Sequence, residues 1–139
     1  MFMNVDKGDA DIFSFCYTDG NNGEFFGTTA ESIIDNSLAD ARCVMYIGCS
    51  TACPTDDPDN LVNMTYSKGA HFVLGTTETV YTPDSDDFLE GFLEKLNSNG
   101  NIAECIERGL VKAGDLRLSN GMLGSYPITY VGDVNQYLN

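Results

Sequence analysis

The sequence predicts an α/β fold: a three-layer sandwich built on a mostly parallel sheet of about four strands. Three observations carry that expectation. Short, nearly continuous apolar runs alternate with stretches of helical periodicity, as in sheets whose strands are covered on both faces. Turn-rich segments containing Gly, Asn, Asp and Pro separate the runs. The chain has 139 residues, 42% of them apolar, which suits one domain spanning residues 1–139.

The first predicted strand covers residues 11–17 (DIFSFCY), with Ile12, Ser14 and Cys16 on one face and Phe13, Phe15 and Tyr17 on the other. TDGNNGEFFG then reads as a loop. Thr28 and Glu31 have capping-box spacing, so a short helix is expected over residues 29–38, burying Ile33, Ile34 and Leu38. Residues 42–48 (RCVMYIG) form the next strand, apolar enough to lie centrally. That strand leads directly into Cys49-Ser50-Thr51, and the polar loop PTDDPDN follows.

Asp59 or Asn60 is expected to cap a helix through Leu61, Val62, Met64 and Tyr66, which Lys68 and Gly69 end. Residues 70–76 (AHFVLGT) form a third strand. Asp84 or Ser85 is expected to cap the next helix, whose buried side carries Phe88, Leu89, Phe92 and Leu96. A second helix runs from residue 102 to about residue 111, and the last strand covers residues 128–131.

Charge narrows the partners. Twenty-one acidic side chains against seven basic ones give a formal charge of -14. Such a surface is repelled by phosphate backbones and anionic headgroups, so neither nucleic acid nor membrane is an expected partner. The apolar runs are too short for a membrane-spanning helix. MFMNVDKGDAD shows no basic segment followed by an apolar one, so no secretory signal and a cytoplasmic location are expected. Five cysteines are an odd number for a disulfide framework, and free thiols in a reducing compartment are the expectation. Cys49 and Cys53 form a C-x3-C pair without a second pair or a nearby histidine, so structural zinc is not expected.

Sites in open α/β sheets gather beyond the carboxyl ends of the strands. Three ends qualify: Thr18-Asp19-Gly20, Cys49-Ser50-Thr51 and Thr76-Thr77-Glu78. Cys49 is the candidate nucleophile, because an apolar strand delivers it to the rim and Gly48 leaves room for close backbone approach. Its thiolate would need a histidine or another positive neighbour. The one histidine, His71, opens its strand and is expected at the opposite end of the sheet. Asp56, Asp57 and Asp59 are weak calcium candidates, lacking the glycine and terminal glutamate of an EF-hand loop. Neither a phosphate loop nor a dinucleotide fingerprint is present, and no cofactor is expected.

RCVMYIGCSTA, the stretch GAHFVLGTTETVYTPDSDDFLEGFLEKL and the closing PITYVGD resemble the caspase-like cysteine peptidases, a group including caspases, legumains, gingipains, separases and bacterial CHAT-type proteases. The resemblance covers residues 11–133. It implies a parallel sheet flanked by helices, with a histidine-glycine pair ending one strand and a small residue plus the nucleophilic cysteine ending the next. These positions correspond to Asp19-Gly20 and Gly48-Cys49. Asp19 thus stands where the family has its histidine, and a carboxylate there disfavours a thiolate. The family's first strands are also lacking.

The resemblance therefore implies a degenerate domain acting as a scaffold or interaction module, with a protein or peptide as partner. An active cysteine endopeptidase using Cys49 with a non-standard or missing base is the alternative, with backbone amides near Gly20 and Cys49 as the oxyanion site. A plain α/β binding domain is another. A thin sheet is expected to pair an edge, either in a homo-oligomer or with the missing strands.

Overall fold

A computed structural model describes the backbone of residues 2–5 and 10–13 and the whole of residues 35–138. It has a mixed α/β architecture with a small, open five-stranded sheet. The strands are β1 (Phe2–Val5), β2 (Ala10–Phe13), β3 (Val44–Tyr46), β4 (Phe72–Thr76) and β7 (Ile128–Gly132), in the spatial order β2-β1-β3-β4-β7. The helices are α1 (Leu61–Ser67), α2 (Thr82–Asn97) and α3 (Ile102–Ala113). A small hairpin, β5 (Leu116–Arg117) with β6 (Leu123–Gly124), occupies the turn-rich segment before β7.

The expected mostly parallel four-stranded sheet is corrected. Among the described strands only β3 and β4 pair in parallel, while β1–β2, β1–β3 and β4–β7 are antiparallel. Connection parity explains this. One helix, α1, returns the chain to the starting end of the sheet, so β4 repeats the direction of β3. Two successive helices, α2 and α3, bring the chain back to the carboxyl end of β4. Ile128 therefore pairs with Thr76, and β7 runs the other way. At the other side, β1 lies between β2 and β3, so the strand that begins DIFSFCY does not adjoin the cysteine strand.

Strand alternation divides the core between the two sheet faces. Cys43, Met45, Phe72 and Leu74 point toward α2 and α3, where they meet Phe88, Phe92, Leu96, Ile102, Cys105 and Ile106. Val44, Tyr46 and Val73 point the other way and pack on Val62 of α1 with Ala41, Ala52 and Ala70. All residues of β3 and β4 are buried, as their unbroken apolar sequences require.

Asn60 caps α1, its side chain accepting from the Asn63 N–H at 2.9 Å. Asn101 and Glu104 form a reciprocal capping box at α3. The expected Asp84 or Ser85 cap of α2 is corrected to Tyr81. Pro83 in the first turn needs no N–H partner, so the helix begins earlier and Ser85 turns inward. Of the helix expected over residues 29–38, residues 29–34 lie outside the described residues and residues 35–40 form turns.

Candidate functional site

The carboxyl ends of β3 and β4 are joined by hydroxyl groups. Thr51 Oγ1 donates to the Tyr46 carbonyl at 3.1 Å and accepts from the Thr76 N–H at 2.9 Å. The Thr76 hydroxyl donates to the Gly48 carbonyl. The Ser50 N–H reaches the Glu78 carbonyl at 3.1 Å, and the Ala52 N–H reaches the Thr76 carbonyl at 2.9 Å. Ser50 turns the chain with a φ of 55°. Gly75 permits α1 to lie this close, since a Cβ there would come within 2.5 Å of Val62 Cγ2 and 2.8 Å of Thr51 Oγ1. These bonds fix the backbone on both sides of Cys49.

Cys49 is exposed at this rim, and its Sγ–H donates to the Val80 carbonyl at 3.4 Å. That bond requires the proton to be on sulfur. Beneath the rim the buried Tyr126 hydroxyl lies 2.7 Å from Ser85 Oγ, and its ring stacks on Phe88 with centroids 4.8 Å apart. Burial pushes the Tyr126 phenol up, the Ser85 hydrogen bond opposes this, and negative charge at Asp84 and Asp86 adds to the rise. Glu78 adds another carboxylate, held below its usual range by hydrogen bonding from Ser119.

His71 sits at the other end of the sheet. It precedes β4, is exposed, and its carbonyl accepts from the Asp133 N–H at 3.4 Å. Val44 of β3 pairs with Val73, whereas Cys49 lies beyond the opposite strand end, where Tyr46 pairs with Gly75. The structure therefore does not bring His71 to Cys49. Asp19 and Gly20 lie outside the described residues, while Gly48 takes part in the rim through its carbonyl.

The calcium candidates do not assemble into a cation set. Asp57 Oδ1 accepts from the Asp59 N–H at 2.9 Å, closing a local turn. No group of three His, Cys, Asp or Glu side chains among the described residues is arranged to hold a metal ion. Cys43, Cys49, Cys53 and Cys105 are free thiols. No helix among the described residues is long and apolar enough to cross a membrane.

Sequence reasoning missed the Ser85–Tyr126 pair. Its signal was a serine among the acids of PDSDD, a position read as a cap. Comparisons with protein-family models, curated proteins and solved structures returned no match.

Proposed function

We propose that this chain is a caspase-like domain that has lost peptidase activity and serves as an interaction module for a protein or peptide partner. One observation carries the reading. Cys49 stands at the carboxyl rim of its strand after Gly48, where the resemblance expects a nucleophile, yet the chain's one histidine lies at the opposite end of the sheet. A general base must come within about 3 Å of the proton it takes. The thiol instead donates a hydrogen bond to the Val80 carbonyl. The free cysteines fit a reducing, cytoplasmic setting.

The test is thiol labelling by an electrophile across pH, comparing the chain with its Cys49→Ser variant in a Cys53→Ser background. The expected result is no selective Cys49 adduct below about pH 7 and no cleavage of a mixed peptide library. Selective Cys49 adducts below about pH 7, where an ordinary thiol is almost wholly protonated, would establish an activated nucleophile and favour the endopeptidase reading.

A further inference from the structure

We infer that the outer edge of β7 takes an added strand from a basic, extended segment of a partner protein. The inference deepens the interaction-module reading and rests on it, but it uses a surface distinct from the Cys49 rim.

Among the described residues, β7 is the last strand of the sheet. Its ladder to β4 fixes which backbone groups face outward. The Thr77 N–H donates to the Pro127 carbonyl at 3.0 Å, and the Asp133 N–H donates to the His71 carbonyl at 3.4 Å. Both pairs continue the register of Val73 with Val131 and Gly75 with Thr129. Hydrogen-bonded pairs alternate along an antiparallel ladder, so Thr129 and Val131 face β4. Ile128 and Tyr130 therefore present their N–H and C=O groups away from it, two residues apart, as an incoming strand requires. Gly132 shares that parity, but its φ of 113° takes it out of extended geometry.

Among the described residues, the edge is also preformed and unguarded. Ile128 packs on the core beneath α2 and α3, and Val131 packs on the core beneath α1. The Tyr130 ring is 5.5 Å from that of Phe72, yet the residue is 45% exposed. Natural edges are commonly blunted by lysine, proline or a bulge. ITYVG contains no charge and no proline, and its pairing with β4 runs without a bulge.

Charge selects the occupant. The formal charge is -14. The six basic side chains among the described residues are all engaged. Lys68, Lys95, Arg108 and Lys112 form ion pairs, and Arg42 and Arg117 donate to carbonyls. A second copy would bring the same negative charge to the edge. A lysine- or arginine-bearing strand would bring the complementary one.

The probe is a labelled, amide-capped Lys-Val-Lys-Val-Lys peptide, followed by anisotropy at low and raised salt, with Glu-Val-Glu-Val-Glu as the control. The basic peptide should bind, weaken as salt rises, and slow hydrogen exchange at the Ile128 and Tyr130 amides; the acidic peptide should not bind. Tyr130→Pro removes an outward N–H without removing a bond to β4, and should weaken binding by about tenfold or more. Tyr130→Ala keeps that N–H and should retain most of the affinity. Equal binding by Tyr130→Pro, or protection confined to other amides, overturns the inference. Protection that grows with protein concentration and no peptide would make a second copy the occupant and overturn it as well. If Tyr130→Pro does not fold, exchange in the unmodified chain decides. Cys49→Ser should bind the peptide normally, so this inference and the loss of peptidase activity fail separately.

Discussion

The Tyr126 hydroxyl lies 2.7 Å from Ser85 Oγ, and both groups are buried. This bond ties the first turn of α2 to the segment entering β7, positions 41 residues apart in the chain. Because a buried polar group without a partner is costly, the two substitutions should differ. Ser85→Ala strands the Tyr126 hydroxyl and should cost about 1–3 kcal/mol. Tyr126→Phe should cost less, about 0.5–1.5 kcal/mol, because Ser85 can turn to a carbonyl of its own helix. Urea denaturation of the two variants and their double mutant measures the coupling. A Ser85→Ala cost smaller than that of Tyr126→Phe would count against the pairing.

Gly91 sets how closely α2 and α3 approach. A Cβ there would lie 2.6 Å from the Arg108 carbonyl oxygen and 2.9 Å from Gly109 Cα, both backbone atoms. Alanine normally gains about 1 kcal/mol over glycine inside a helix. Overpacking against backbone typically costs about 1–3 kcal/mol. The clash should win, so Gly91→Ala should lower the melting temperature. A raised melting temperature would mean that the helices separate cheaply.

The elements were readable where local pattern and burial agree. RCVMYIG and AHFVLGT are nearly continuous apolar runs, and they supply the two fully buried strands. Asn60 caps α1 as its position before an apolar helical pattern suggests. Strand direction was less legible, because it depends on how many helices lie between strands, and α2 and α3 act as a returning pair before β7. β1 was missed because MFMNV is too short to declare a strand without β3 to pair with. At the candidate site, Cys49 and the distance to His71 followed from strand order. The Ser85–Tyr126 contact did not, since it joins remote residues of ordinary local character.

Alkaline pH should destabilise the fold before it titrates the buried core. Burial raises the Tyr46 phenol from an ordinary 10.0 to about 12, although its hydrogen bond with Thr65 acts in the opposite direction. Burial, with a smaller effect from Cys105, also raises the Cys43 thiol above its ordinary 9.0. Both groups are held protonated by the folded state. Their contribution is complete below the unfolded values and is lost as pH rises through the folded ones. For Tyr46 the two-unit difference corresponds to roughly 3 kcal/mol. Urea midpoints should hold steady up to about pH 9 and fall steeply toward about pH 12. Tyr46→Phe should make that fall shallower, and an unchanged slope would show that Tyr46 ionises without unfolding.

Cys49 reactivity should be indifferent to the chain's one histidine. Cys49 lies three residues beyond Tyr46, and Tyr46 pairs with Gly75, four residues beyond His71. At about 3.3 Å per strand residue, the separation is roughly 13 Å along the sheet before the rim loop is counted. Even an ionised imidazole at that range is weakened by salt, whose screening length is about 8–10 Å. His71→Ala should therefore leave the pH profile of Cys49 labelling unchanged. A slower, alkaline-shifted profile in His71→Ala would instead demand a histidine-assisted thiol, and the proposal of lost peptidase activity would fall with it.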